Sequence, residues 1–151
     1  MVKKITDKDT KQGIARNILE ALDQWFEVKE SREQYIAESA DLTFLAAEED
    51  GAYVGFLCLK KTGNATVELA VRGVLKEDHR RGIGRALFDE AVKTAKAEGY
   101  SFMQVKTVRM GVYEDYDITN MFYISCGFKE FEVINAVWGD ENPCQIYVMS
   151  L

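Results

Sequence analysis

Histidine and proline are almost missing from this sequence: His79 and Pro143 are single examples in 151 residues. One imidazole and three scattered cysteines, Cys58, Cys126 and Cys144, contain no Cys-x-x-Cys pair. That excludes a zinc site of ordinary ligand spacing and a disulfide framework, so no metal is expected. Cys126 has no histidine near it in sequence and reads as a packed thiol rather than a nucleophile. Without a proline-rich or serine-rich linker, residues 1–151 read as one domain, long enough to bury its own core. No apolar run approaches the roughly 18 residues of a membrane span. The start, Met1 to Asp7, lacks the apolar stretch of a signal peptide. A cytoplasmic protein with reduced cysteines and no membrane partner is the expectation. Positive charge is also short: 19 Lys and Arg face 25 Asp and Glu, for a net charge of −6. Nucleic-acid binding needs a basic face, so nucleic acid is excluded as a partner. The surplus negative charge serves solubility and mildly favours cationic partners.

What is there is periodic. Residues 2–6 suit a short strand. From Asp7 to Phe26, Ile14, Ile18, Leu19, Leu22 and Trp25 recur at helical spacing. Glu30 to Ala40 predicts a second helix with Ser31 as N-cap. The period then changes to two. Leu42 to Ala47 and Ala52 to Lys60 form a hairpin around Glu49-Asp50-Gly51. In the next run, Ala65 to Val74, Val67, Leu69 and Val71 alternate with Glu68, Ala70 and Arg72, until Gly73 interrupts as a bulge would. Gly82 to Glu98 is the strongest helix, with Ile83, Leu87, Phe88, Ala91, Val92 and Ala95 on one stripe, Asp89 placed to pair with Lys93, and Gly99 as its stop. Ser101 to Val108 reads as a strand, Tyr116 to Cys126 as the last helix before Gly127, and Phe128 to Val137 and Cys144 to Leu151 as closing strands. The predicted order, β-α-α-β-β-β-α-β-α-β-β, is an α/β (α+β) domain: a mixed sheet of seven strands flanked by four helices.

The segment that carries chemistry is Val74-Leu75-Lys76-Glu77-Asp78-His79-Arg80-Arg81-Gly82-Ile83-Gly84-Arg85, between a strand and a helix. Its glycines let successive backbone N–H groups converge on an anion, and the helix start adds a positive dipole end. Lys76, Arg80, Arg81 and Arg85 bring four cations into an acidic chain. A diphosphate ligand accounts for all three features. A glycine-tightened turn with a solvated basic rim accounts for them equally well at this level. Two phosphate loops are excluded: Arg85-Ala86 stands where a P-loop needs Lys-Ser/Thr, and Leu87 breaks the dinucleotide fingerprint.

His79-Arg80-Arg81-Gly82-Ile83-Gly84 resembles the Gln/Arg-x-x-Gly-x-Gly/Ala acetyl-CoA motif of GNAT acetyltransferases, with histidine at the first place. Phe122-Tyr123-Ile124-Ser125-Cys126-Gly127-Phe128 is similar to the family's Phe-Tyr-x-x-x-Gly-Phe. Asn142-Pro143-Cys144-Gln145-Ile146-Tyr147 resembles a bacterial branch of small GNAT proteins. The order of elements agrees along nearly the whole chain.

The resemblance implies the GNAT acyl-CoA N-acyltransferase fold with a mostly antiparallel sheet, and direct transfer of an acetyl group from acetyl-CoA to an amine of a small molecule or peptide. A homodimer is left open. It implies cofactor contacts at Gly73, Val74, His79, Arg80, Arg81, Gly82, Ile83, Gly84 and Arg85. Many members carry an asparagine seven residues before the motif tyrosine. Tyr116 holds that place here, and Asn120 is the asparagine assigned to the cofactor instead. Tyr123 is the implied proton donor to the departing thiolate. Glu68, on the polar side of its strand, is the base candidate, with a water relay as the other option. Tyr113 and Tyr116 are assigned to the acceptor pocket, whereas Trp138 reads as ordinary packing. A non-catalytic acyl-CoA sensor on the same fold is the alternative, and a nucleotide-binding regulator a more distant one.

Overall fold

The computed structural model describes residues 1–22 and 28–151. Trp25 and Phe26, the end of the first expected helix, lie outside the described residues. The elements are β1 (Val2–Ile5), α1 (Lys8–Ala21), α2 (Lys29–Ser39), β2 (Thr43–Glu49), β3 (Ala52–Lys61), β4 (Thr66–Val74), α3 (Ile83–Ala97), β5 (Phe102–Val108), α4 (Glu114–Ser125), β6 (Lys129–Ile134) and β7 (Cys144–Ser150), with short 3-10 turns at Lys76–Asp78 and Asn135–Val137. The strands hydrogen-bond in the order β1-β2-β3-β4-β5-β7-β6. The mixed seven-stranded sheet and its four helices are those expected. No described helix is long and apolar enough to cross a membrane.

The chain forms two compact units, each made of two segments. The first comprises Met1–Lys60 and Ala70–Thr94. Its core gathers Ile14, Ala15, Ile18 and Leu19 of α1 with Ile36, Phe44, Phe56 and Val71, and the Phe44 and Phe56 rings stack with centroids 5.2 Å apart. Burying one stripe of α1 in this way is the main reason a helix of this length holds. Asp7 caps it, accepting from the Thr10 N–H at 2.9 Å and the Thr10 hydroxyl at 2.6 Å. Lys11 is buried, and its ammonium donates to the carbonyls of Ala40 and Leu42, which fastens α1 to the end of α2. The β2–β3 turn pairs Glu49 with Ala52, and both residues between them, Asp50 and Gly51, have positive φ, as a type I′ turn requires.

The second unit comprises Lys61–Leu69 and Ala95–Leu151. Here β4 runs parallel to β5, pairing Thr66–Glu68 with Phe102–Gln104, while β7 lies antiparallel between β5 and β6. In α4, the Phe128 N–H reaches back to the Tyr123 carbonyl, the Gly127 N–H to Ile124, and Gly127 has φ +104°. This is the Schellman arrangement, and its customary apolar clasp is the Tyr123–Phe128 ring contact, with centroids 5.7 Å apart. The Phe-Tyr-x-x-x-Gly-Phe pattern is thus also a helix stop written in sequence. β6 is an exposed edge strand, with a bulge between Glu130 and Glu132 that leaves Phe131 65% exposed.

Three details differ from expectation. Ser31 lies inside α2, whose N-cap is Val28 with no side-chain cap bond, because the helix begins at Lys29. The first closing strand ends at Ile134, where a 3-10 turn takes over, rather than at Val137. Asp89 pairs backward with Arg85 at 3.3 Å, not forward with Lys93.

The Asp7 cap yields a signed pH effect. Its hydrogen bonds from Thr10 hold the carboxyl below the usual carboxylate range. A group with a depressed folded pKa contributes stability above its unfolded pKa and loses it as pH falls through the folded one. Asp7→Ala is expected to lower the melting temperature at pH 7, and the gap to the parent to narrow as pH falls below the ordinary aspartate value of ~3.9. Melting curves recorded from pH 7 to pH 2 check this.

Candidate active site

The loop after β4 belongs to the first unit. At Gly73, an added Cβ would lie 3.0 Å from Ile18 and 3.1 Å from Leu22, so the absence of a side chain there is what lets α1 approach the strand. Beyond it the His79 ring Nε2 lies 2.6 Å from the Val74 carbonyl, and the Leu75 N–H donates to the Val54 carbonyl. The imidazole therefore ties the loop to the strand end. Arg81 donates to Asp78 at 2.7 Å and to Glu49 at 3.1 Å, and Asp78 itself is buried. Arg85 holds Asp89. Carboxylates thus fix Arg81 and Arg85, while Arg80 and Gly82 both adopt left-handed backbone, at φ +62° and +78°. A left-handed arginine costs energy that glycine avoids. The first backbone bond of α3 runs from Ala86 N–H to Gly82 carbonyl, and the amides of a helix's first turn have no intrahelical partner. Apart from its chain neighbours, no atom of the described residues lies within 4 Å of the place a Cβ would take on Gly82. Open space, left-handed backbone and a helix start suit an anion approaching the backbone, and so fit a diphosphate.

The second unit holds the two candidate proton-transfer residues. Glu68, 14% exposed, accepts from the Lys106 ammonium at 3.1 Å. Cys144 is wholly buried; burial raises its thiol pKa, Lys106 opposes the rise and Glu68 adds to it. A thiol so placed is a poor nucleophile. Tyr123 is 5% exposed, with the rings of Phe122, Phe128 and Tyr147 at 5.8, 5.7 and 6.2 Å. Asn120 is fully buried. Its amide N–H groups donate to the carbonyls of Val108 at 2.9 Å and Tyr116 at 2.6 Å, and its oxygen accepts from the Tyr147 hydroxyl at 2.6 Å. Both donors are spent, so the assignment of Asn120 to a cofactor contact is corrected: it joins α4 to the end of β5 and the middle of β7.

Tyr113 and Tyr116 come together, with ring centroids 5.9 Å apart, and the Tyr113 hydroxyl donates to the Asn142 carboxamide oxygen at 2.8 Å. Trp138, 42% exposed, follows the 3-10 turn. The sequence reading passed over Lys106 and Asp78. Alternation along β5 could have put Lys106 on a polar face with Gln104, but only the fold pairs it with a glutamate on another strand. Among the described residues no group of three or more His, Cys, Asp or Glu side chains is arranged to hold a metal.

Residues 15–128 match the acetyltransferase (GNAT) family model. No curated protein matches the chain by sequence. Among solved structures, an aminoglycoside 6′-acetyltransferase type Ii is similar with a TM-score of 0.80 and 20% identity, over 99% of this chain and 96% of that one. An IAA acetyltransferase from Bacillus cereus is similar with a TM-score of 0.76 and 20% identity, over 100% and 99%. A GNAT family acetyltransferase from Elizabethkingia anophelis with acetyl-CoA bound reaches 0.67 with 18% identity, over 83% and 84%.

Removing the Asn120 side chain strands a buried carbonyl and a buried hydroxyl. Asn120→Ala is expected to cost about 2–4 kcal/mol of folding stability. Urea unfolding of the two proteins measures it, and a loss under about 1 kcal/mol would mean that water replaces the amide.

Proposed function

The chain belongs to the acetyltransferase (GNAT) family, and we propose that this N-acetyltransferase moves the acetyl group of acetyl-CoA directly to an amine. The observation that carries the acetyl-CoA reading is the loop at 79–84. Two left-handed residues there, Arg80 and Gly82, lead into a helix whose first-turn amides have no intrahelical partner, and nothing packs where a side chain on Gly82 would lie. Coenzyme A offers a diphosphate to such a backbone. The acetyl-CoA-bound relative supports the same co-substrate.

In the transfer, the amine nitrogen attacks the thioester carbonyl, an N–C bond forms, the C–S bond breaks, and CoA leaves as a thiolate. The amine must first lose a proton, since a primary alkyl amine with pKa near ~10.4 is mostly protonated at neutral pH. Glu68 is the proposed acceptor of that proton, and Lys106 fixes its carboxylate. The thiolate must gain one. Tyr123 is the proposed donor, and three aromatic neighbours hold its ring in one orientation. His79 is occupied with the Val74 carbonyl and orders the loop instead of moving protons.

Two substitutions test these roles. Tyr123→Phe keeps the ring and its packing, so the melting temperature should hold while kcat falls ~10²–10⁴-fold, the usual loss for a positioned acid. Acetyl-CoA affinity should change little, because the charge on sulfur develops in the transition state. Full kcat in this variant would reduce Tyr123 to the packing residue that its burial already makes it. For Glu68→Gln, the fall in kcat/KM should be greatest near pH 7 and shrink toward pH 10, as free amine accumulates unaided. A pH–rate profile parallel to the parent's would take Glu68 out of the mechanism.

A further inference from the structure

We propose that Glu68 and Lys106 together recognise a zwitterionic acceptor, an α-amino acid with an apolar side chain. This rests on the acetyl-transfer reading with Glu68 facing the amine, and extends it to the acceptor's class.

The Lys106 ammonium and Glu68 carboxylate are 3.1 Å apart and only partly exposed, at 31% and 14%. An α-amino acid carries its own ammonium and carboxylate on one carbon, a few ångströms apart. Laid against the pair, its ammonium meets Glu68 and its carboxylate meets Lys106. Each charge on both sides gains a partner of opposite sign, and charge-assisted bonds of this kind are the stronger ones. A simple amine would satisfy Glu68 and compete with Lys106 for it, leaving the lysine with less than it had before.

The same sheet face supplies room for a side chain. Two residues back along β4 and β5, about 6.7 Å at strand rise, lie Thr66 and Gln104, and both line a groove of about 570 Å³. Phe102, Phe131, Ile146 and Val148 make most of its apolar wall. Ile146, which lines the groove, stands opposite Lys106 in the β5–β7 register, so the charged pair lies just beyond the groove's lining on the same face. Charge on this side is balanced: Lys129 lines the groove, and Glu132 pairs in register with Ile146. A polycation finds no surplus of carboxylates here to draw it in.

Phenylalanine is the probe, with phenethylamine as the same amine lacking the carboxylate and spermidine as the polycation. With acetyl-CoA saturating, CoA release should show kcat/KM for phenylalanine about 10–100-fold above phenethylamine, the range expected for one charge-assisted contact, with spermidine lower still. Lys106→Gln should bring the phenylalanine-to-phenethylamine ratio close to one by raising KM for phenylalanine, and Lys106→Arg should retain most of it. A merely structural lysine would lower both acceptors alike. An unchanged ratio in Lys106→Gln, or a preference for phenethylamine or spermidine in the parent, overturns the proposal. If no acceptor turns over, calorimetric titration of phenylalanine decides. Binding that Lys106→Gln weakens at least tenfold sustains the recognition and sinks only the transfer, whereas no binding overturns the recognition itself.

Discussion

A carboxamide sealed from water must find every partner inside the protein. Asn120 does so by holding the Val108 carbonyl, the Tyr116 carbonyl and the Tyr147 hydroxyl at once. The requirement sets much of the second unit. It fixes the phase of α4 against the end of β5 and the middle of β7, and so determines which face of α4 carries Tyr123 inward. With Tyr123 turned in, Phe128 can close over it and the helix can end at Gly127. Buried amide, aromatic cluster and helix stop are therefore one construction. Since a half-satisfied buried network is worse than an apolar core, its parts are expected to fail together.

The first unit is organised by carboxylates as much as by its core. The basic loop reads from sequence as four cations waiting for an anion, yet Arg81 is held by Asp78 and Glu49, and Arg85 by Asp89. These pairs are mostly exposed and contribute little to stability individually. Their effect is on shape: they brace a backbone that contains a left-handed arginine. The Arg81 and Arg85 guanidinium groups are engaged by carboxylates, and the backbone amides of the loop and helix start are its further anion donors.

How much of this could be read in advance follows from the range of each interaction. Alternation along β4, the Asp50-Gly51 turn and the glycines after α3 and α4 act over a few residues, and they predicted the element order and most boundaries. Ser31 misled because a serine near a helix start is a cap only if the helix begins just after it, and Lys29 begins it sooner. The 3-10 turn at Asn135–Val137 reads as strand in sequence because Val137 is an apolar residue of strand type following Val133 and Ile134. Glu68 was legible as the polar residue of a buried strand, but Lys106 lies on a different strand and its partnership depends on the parallel β4–β5 pairing. Asn120 was misassigned for the same reason: sequence showed an amide near a motif, and only the fold showed that its hydrogen bonds were already used.

The edge strand β6 carries a different consequence. A strand with one side unpaired offers its amides and carbonyls to any extended chain, and Phe131 and Val133 add apolar side chains to that offer. Lys129, Glu130 and Glu132 interrupt them with charge, and the bulge at Phe131 breaks the regular spacing that a second strand would need. The irregularity thus works as protection against edge-to-edge aggregation. A version of this chain smoothed for stability, with the bulge removed and the glutamates made β-branched, would gain a flat apolar template and the tendency to polymerise that goes with it.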